Sequence, residues 1–153
     1  MKRVLFVCTG NICRSPTADG IARQLAAQRG LQDVFEFDSA GTHAYHTGEA
    51  PDPRAQLAAR KRGYELSALR ARPVVPQDFE DFDLILAMDR GHLTWLKRES
   101  PREHHHKIHL FLSFAEGIQA EDVPDPYYGG REGFEHVLDL CEAALQGLLA
   151  QRD

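Results

Sequence analysis

The sequence has few cysteines, no long apolar stretch and no excess of positive charge. Its 153 residues include three cysteines, an odd and sparse number that does not suggest the disulfide framework of a secreted protein. The apolar runs are only a few residues long, and residues 1–11 lack the extended apolar core and cleavage site of a signal peptide. We therefore expect a cytoplasmic protein that is neither exported nor inserted in a membrane.

The charge and size of the chain exclude further classes. Eighteen Lys and Arg residues against 23 Asp and Glu residues give a net charge of −5, and the basic residues are spread along the chain. A cationic surface for nucleic acid or anionic lipid is therefore not expected. The hydrophobic share of 42% is typical of soluble globular proteins. The length suits one domain, and we expect residues 1–153 to form a single domain without repeats or linkers.

Short apolar runs alternate with helical patterns along the chain. Val4–Val7 is apolar without alternation, which is typical of a strand buried on both faces. Further strands are predicted at 34–41, 82–88 and 107–112, whereas 42–53 and 113–130 are loops and 72–75 is an ambiguous extended piece. Helices are predicted from an N-cap at Ser15 to Gly30, after Asp52, after Asp89 and over 134–149. This order predicts an open α/β sheet.

The segment after the first strand carries the chemistry. Cys8 ends the strand, and Arg14 follows six positions later at the start of a helix, where ligands of open α/β sheets bind. A loop that closes onto a helix N-terminus directs backbone N–H groups at an anion, and Gly10 and Asn11 tolerate the positive φ that such a loop needs. We expect Cys8 to be a nucleophilic thiolate and Arg14 to match two phosphate oxygens.

The spacing of Cys8 and Arg14 alone is weak evidence, because a buried core cysteine and a surface arginine would show it too. The strand, glycine and helix around the two residues favour the anion site. Thiolate attack on a phosphate ester also needs an acid that protonates the leaving group. Asp125 is the candidate, since it lies between two prolines and beside Tyr127 and Tyr128, although alone it would be an ordinary turn residue.

Five segments, in order, resemble the low-molecular-weight protein tyrosine phosphatases: Cys8–Pro16, Asp38–Thr42, Pro51–Arg54, Met88–Arg90 and Asp125–Gly129. The resemblance covers essentially the whole chain. It implies an open four-stranded parallel sheet with helices on both faces and a phosphate-binding loop between the first strand and the first helix. It also implies hydrolysis of phosphotyrosine in proteins and of small aryl phosphates, without a metal or another cofactor, by a protein that we expect to be a monomer.

The same resemblance implies individual roles. Cys8 would form a phosphocysteine, Arg14 would hold the phosphate, and Asp125 would act as general acid and then general base. The phosphate-binding loop and its support would be Thr9, Gly10, Asn11, Ile12, Cys13, Ser15 and Ser39. The walls of the slot for an aromatic ring would be Ile12, Tyr45, Tyr127 and Tyr128. One residue departs from the family pattern, because Leu69 stands where many members carry a histidine of the supporting network.

Two further groups of residues have competing interpretations. Cys13 lies five positions from Cys8 in a loop that curls around one anion. We therefore expect Cys13 to trap an oxidised Cys8 as a disulfide, although the spacing alone does not guarantee the geometry. The run His104–His106 invites a metal hypothesis, but consecutive residues point in different directions. A solvated polar run is the better interpretation.

Three other functions remain open. Phosphoarginine phosphatases resemble this chain but have a small polar residue in place of Ile12. A thiol-dependent arsenate reductase would need further cysteines on a mobile segment in the second half of the chain, where only Cys141 occurs. A phosphoprotein-binding module without activity would be favoured if Cys8, Arg14 or Asp125 were missing.

Overall fold

A four-stranded parallel sheet forms the centre of the molecule in a computed structural model that describes residues 1–127 and 129–151. Its strands are β1 (Lys2–Cys8), β2 (Phe35–Gly41), β3 (Leu84–Ala87) and β4 (Ile108–Leu110). They lie in the order β2-β1-β3-β4. Cys8 pairs with Gly41, and Val7 pairs with Ala87, so the carboxyl ends of the strands share one edge. The prediction of a parallel α/β sheet is confirmed.

In the part of the chain that the structure describes, five α-helices surround this sheet: α1 (Arg14–Gln28), α2 (Pro53–Lys61), α3 (Gln77–Asp81), α4 (Arg90–Glu99) and α5 (Arg131–Ala150). Two 3₁₀ turns, Arg102–Lys107 and Phe111–Phe114, flank β4. The helices predicted after Asp52 and Asp89 are present, and both residues are N-caps, because their carboxylates accept backbone N–H groups of the first helical turn. Within residues 1–127 and 129–151, no helix has the length and apolarity needed to cross a membrane.

The apolar side chains of β1 pack in two separate hydrophobic clusters, one on each face of the sheet. Val4 and Phe6 pack in one cluster with residues of α1, α2 and α5, whereas Leu5 and Val7 pack in a second cluster with residues of α3 and α4. All four β1 side chains are fully buried. Helices therefore cover both faces of the sheet, which explains why the strand shows no polar alternation.

Several predicted boundaries were wrong. Ser15 is not the N-cap of α1, because the helix begins at Arg14 after Cys13 and has no side-chain cap. The fourth strand ends at Leu110, where a 3₁₀ turn begins. The short helix α3 was not predicted. The ambiguous piece at 72–75 contains Pro73, which bridges to Gly41 at the end of β2.

Candidate active site

The segment between β1 and α1 forms the floor of a cleft at the carboxyl edge of the sheet. The cleft has a volume of about 240 Å³. It is lined by Cys8, Thr9, Gly10, Ile12, Cys13, Arg14, Tyr45, His46, Asp125 and Tyr127. The fold therefore brings together the three residues expected to act in catalysis, although Asp125 lies more than a hundred positions after the other two.

The backbone of this loop is arranged as an anion cradle. Within the described part of the chain, no backbone N–H group of residues 10–15 donates a hydrogen bond. The carbonyl groups instead accept hydrogen bonds from surrounding residues, as seen for Cys8, Thr9, Ile12 and Cys13. Buried N–H groups without acceptors are rare unless a ligand meets them. The start of α1 adds its dipole to the same point.

Two residues of the loop need their particular conformations or sizes. Asn11 has a φ of 59°, a left-handed conformation that asparagine adopts more readily than most residues. Gly10 does not adopt the positive φ considered for it; instead it is covered by His46, whose Cδ2 atom would lie 2.9 Å from a Cβ atom at position 10. A side chain at position 10 would therefore displace the imidazole from the cleft wall.

A chain of hydrogen bonds supports the thiol. The Asn11 side-chain amide donates to Ser15 Oγ at 2.7 Å and to Ser39 Oγ at 2.9 Å. Because Ser15 Oγ accepts from Asn11, its own hydrogen is available to Cys8 Sγ at 2.9 Å. The Asn11 Oδ1 atom accepts the backbone N–H of Arg72 at 3.0 Å. Asn11, Ser15 and Ser39, which belong to the predicted loop and its support, thus lie in one hydrogen-bond network.

The segment around Leu69 contacts this network through Arg72. Leu69 packs partly buried against the larger core cluster, while Arg72, three positions later, contacts Asn11. The Arg72 guanidinium is held by ion pairs to Asp38 at 3.1 Å and Asp78 at 3.0 Å. No histidine is needed for the contact to Asn11.

The guanidinium of Arg14 faces the cradle with one edge. Its side chain is only 5% exposed, and Nη1 donates to Asp89 Oδ2 at 2.9 Å and to the Val123 carbonyl at 3.0 Å. Within residues 1–127 and 129–151, Nη2 makes two long contacts, 3.5 Å to Thr9 Oγ1 and 3.7 Å to Asp125 Oδ2. Because both hydrogens of Nη1 are used, the edge formed by Nε and Nη2 is the one available to two oxygens of a bound anion.

Asp125 reaches the cleft on the loop before α5. The buried Val123 anchors this loop, since its backbone N–H donates to the Met88 carbonyl at 2.8 Å. The Asp125 side chain is 43% exposed, and its Oδ1 atom accepts the Tyr127 backbone N–H at 3.0 Å. Its other oxygen faces the guanidinium of Arg14. A carboxyl group in this position is reached by both solvent and a ligand in the cleft.

Three of the four residues predicted to form the walls of the slot line the cleft. Ile12, Tyr45 and Tyr127 line the cleft, and Tyr45 is 71% exposed and stacks on His43 with ring centroids 4.9 Å apart. The Arg54 guanidinium lies 5.3 Å from the centroid of the Tyr127 ring. Tyr128, the fourth expected wall, lies outside the described residues.

Cys13 differs from Cys8 in its environment. It is buried at the N-terminus of α1, and burial, helped by the charges of Asp52, Cys8 and Asp125, raises its pKa to about 12. The Cys13 thiol is therefore protonated near neutral pH. Cys8 and Cys13 line the same cleft.

The histidine run lies in a 3₁₀ turn. His104 is mostly buried rather than solvated, and its Nε2 atom lies 3.0 Å from Glu80. With Glu103 these residues hold three donor atoms within 4.8 Å of one another. The two carboxylates are exposed, and such acidic groups are common without an ion, so we assign no metal site.

Sequence reasoning missed most of what holds Arg14. Asp89 was recognised only as a helix cap, and neither the Val123 carbonyl nor His92, which contacts Thr9, was linked to the site. Their contacts to the loop span 75 to 109 positions. The sequence offered one local signal for these contacts, the short spacing of Asp89 and His92 at the start of one helix.

Comparison with known proteins gives consistent matches. A family model described as low molecular weight phosphotyrosine protein phosphatase matches residues 3–153. A low molecular weight protein-tyrosine-phosphatase of Streptomyces coelicolor is 46% identical over 151 residues, 97% of this chain and 92% of that protein. The Bacillus subtilis protein YfkJ, of the same description, is 41% identical over 150 residues, 98% of this chain and 95% of its own.

Solved structures agree with the sequence matches. A protein tyrosine phosphatase from Entamoeba histolytica, with Hepes in its active site, superposes with a TM-score of 0.95 at 39% identity and covers 99% of this chain and 96% of its own. The crystal structure of YfkJ superposes with a TM-score of 0.92 at 41% identity and covers 98% and 93%.

Proposed function

Because this chain belongs to the low molecular weight protein-tyrosine-phosphatase family, we propose that it hydrolyses phosphotyrosine in proteins, and small aryl phosphates, through a phosphocysteine intermediate on Cys8. One observation carries this proposal. The Cys8 thiol, the N–H groups of residues 10–15 and the Nε–Nη2 edge of Arg14 lie at the floor of one cleft, with Asp125 beside them. Among the described residues, these N–H groups have no acceptor. This arrangement suits a phosphoryl group bound by its non-bridging oxygens.

In the first step, the Cys8 thiolate attacks phosphorus, and the bond between phosphorus and the tyrosyl oxygen breaks. The leaving oxygen keeps the electron pair and takes a proton from Asp125. The loop N–H groups and Arg14 bind the non-bridging oxygens and stabilise their charge. The Ser15 hydroxyl, directed at Sγ by Asn11, stabilises the thiolate before attack.

In the second step, the Asp125 carboxylate takes a proton from water, and the water oxygen attacks phosphorus. The bond between sulfur and phosphorus breaks, which releases inorganic phosphate and restores the Cys8 thiolate. Asp125 ends the cycle protonated, as it began. Residues of the chain accept and donate every proton, so no metal or other cofactor has a part in the scheme.

The walls of the cleft favour an aryl phosphate. Ile12, Tyr45 and Tyr127 surround the approach to Cys8, and a phosphotyrosine ring spans that depth while its faces pack on aromatic neighbours. A phosphoserine side chain is shorter, so its peptide backbone would have to enter the cleft. Each peptide group left unpaired there would cost about 1–3 kcal/mol.

We expect kcat/KM for phosphotyrosine peptides to exceed that for matched phosphoserine peptides by at least about a hundredfold. Initial rates of phosphate release from peptides that differ only in the phosphorylated residue measure this ratio. Excess chelator serves as the control and should leave turnover unchanged. Comparable kcat/KM values for the two peptides would contradict the proposed role of the cleft walls.

Two further substrates distinguish the alternatives. Faster turnover of phosphoarginine than of phosphotyrosine would assign the chain to phosphoarginine phosphatases. Thiol-dependent reduction of arsenate would require a relay of cysteines, but Cys141, the only cysteine after Cys13, is fully buried in α5. We therefore expect no arsenate reduction.

We further propose that Cys13 protects Cys8 from irreversible oxidation. Peroxide converts the Cys8 thiolate to a sulfenic acid, and the Cys13 thiolate then attacks this sulfur, releases hydroxide and forms a disulfide. Burial keeps Cys13 protonated near neutral pH. Formation of its thiolate, rather than oxidation of Cys8, should therefore limit the closure of the disulfide.

The raised pKa of Cys13 predicts that the rate of disulfide formation depends on pH. Because pH values of 7 to 9 lie well below the raised pKa of Cys13, each added pH unit increases the thiolate fraction, and hence the rate of closure, by roughly tenfold. Alkylation of free thiols at timed intervals after a peroxide pulse, followed by peptide mass mapping, measures the rate. A Cys13→Ser variant should not regain activity with dithiothreitol after prolonged exposure. Equal recovery of variant and wild type would rule out the protective role.

The remaining expectations complete the proposal. We propose that residues 1–153 act as one phosphatase domain, as a monomer, in the reducing cytoplasm. All three cysteines are free thiols, and the nucleophile requires the reduced form. Size-exclusion chromatography with light scattering measures the oligomeric state.

A further inference from the structure

We propose that His92 is a positioning residue that orients the Thr9 hydroxyl and, through it, holds the guanidinium of Arg14 in place for the phosphoryl group. The inference rests on the function proposed above. His92 is the third residue of α4, and it is only 5% exposed behind the phosphate-binding loop. It does not line the cleft, so it acts on the reaction only through Thr9 and Arg14.

The contacts of His92 join two parts of the site. Its Nε2 atom lies 2.8 Å from Thr9 Oγ1. Its buried Nδ1 atom lies 3.1 Å from Asp89 Oδ1 but has no hydrogen-bond partner among the described residues, so this contact is electrostatic. Thr9 Oγ1 in turn faces Arg14 Nη2, and Asp89 Oδ2 accepts from Arg14 Nη1. The four side chains therefore form a closed ring of polar contacts with the guanidinium on one side.

The charges around the ring select the tautomer of His92 and the direction of its hydrogen bond with Thr9. If Nε2 carried the hydrogen, the bare Nδ1 lone pair would face the Asp89 carboxylate, and two acceptors would repel each other. With the hydrogen on Nδ1, the positive end of the N–H dipole faces the Asp89 carboxylate at 3.1 Å, an attraction without hydrogen-bond geometry, and Nε2 accepts from the Thr9 hydroxyl. The oxygen of Thr9 is then left as an acceptor for Arg14 Nη2.

The burial of His92 favours this neutral form. Loss of solvent lowers the pKa of His92 to about 4, and the nearby charge of Arg14 acts in the same direction against the attraction of Asp89, Asp125 and Asp122. A neutral imidazole keeps one nitrogen as an acceptor. Since a protonated His92 would have no acceptor left for the Thr9 hydroxyl, the ring requires the neutral form.

The ring explains how Arg14 is held before an anion binds. Asp89 and the Val123 carbonyl fix Nη1, but two bonds at one nitrogen still let the guanidinium tilt about that end. Thr9 adds a long contact of 3.5 Å at Nη2, which restricts this tilt at the other end of the group and leaves the second hydrogen of Nη2 for an anion. A guanidinium oriented in advance loses less freedom when it binds two phosphate oxygens.

The test compares two single variants with their combination. His92→Leu removes both ring nitrogens, and Thr9→Val removes the hydroxyl but keeps the shape and the backbone N–H. We expect each to weaken the binding of orthovanadate, measured by calorimetry, and to raise KM for p-nitrophenyl phosphate by about tenfold. The double variant should bind orthovanadate about as tightly as whichever single variant binds it less tightly. Both changes open the same ring, so their effects should not add.

Two controls separate positioning from general stability. His92→Gln can place an amide oxygen near Thr9 and should recover most of the orthovanadate affinity, whereas a loss caused by packing would remain. Thr94→Val removes a hydroxyl from the exposed side of the same helix, where it donates to the Arg90 carbonyl, and should change neither affinity nor KM.

The outcomes are distinct. Additive losses in the double variant, or unchanged orthovanadate affinity in His92→Leu and Thr9→Val, would overturn the inference. A lower melting temperature with unchanged affinity would make His92 a structural residue only. If the wild type bound orthovanadate but hydrolysed no phosphate ester, the proposed function would fail, and the binding data would still decide the role of His92.

Discussion

Replacement of Cys8 by serine is expected to lower kcat for phosphotyrosine peptides by at least about a thousandfold. A serine hydroxyl at this position is protonated near neutral pH and is a much weaker nucleophile than a thiolate. The substitution leaves the backbone N–H groups of residues 10–15 and the Arg14 guanidinium in place. The variant should therefore still bind orthovanadate, which calorimetry measures alongside the kinetic assay.

Cys141→Ala provides the matched control for Cys8→Ser. Cys141 is a fully buried residue of α5 in the same core cluster, and its burial raises the pKa of its thiol, so it has no nucleophilic role. Its removal should leave kcat per folded molecule unchanged. Substantial turnover by Cys8→Ser, or loss of turnover in Cys141→Ala with the fold intact, would refute Cys8 as the nucleophile.

Replacement of Asp125 by asparagine should slow hydrolysis according to the leaving group. A tyrosyl oxygen needs a proton as it departs, so we expect kcat for phosphotyrosine peptides to fall by about a hundredfold or more. p-Nitrophenolate leaves readily without a proton, so its ester should be affected less. Asparagine keeps an oxygen that can accept the Tyr127 N–H, and the loop should therefore retain its position.

Asp122→Asn tests whether the effect belongs to Asp125 or to the acidic loop as a whole. Asp122 lies on the same loop but pairs with Arg90 at 3.2 Å and does not line the cleft. Its substitution should leave both substrates nearly unaffected. Equal losses for phosphotyrosine and p-nitrophenyl phosphate in Asp125→Asn would contradict its role as the acid.

The architecture was predictable because its signals are local. The unalternated run in β1 indicates a strand covered on both faces, and the carboxylates of Asp52 and Asp89 mark the starts of two helices. Boundaries failed where tertiary contacts compete with local preference. Ser15 has the chemistry of an N-cap, but its hydroxyl is used by Asn11 and Cys8 instead, and the N-cap is Cys13, two residues earlier.

The sequence by itself determined the α/β class and the candidate residues Cys8, Arg14 and Asp125, since strand patterns, helix caps and the spacing of the loop depend on neighbours in the chain. Only the tertiary structure decided which groups hold the Arg14 guanidinium. Val123 lies 109 positions from Arg14, and His92 lies 83 from Thr9. Contacts across such distances arise from the packing of the sheet and its loops, and no local pattern encodes them.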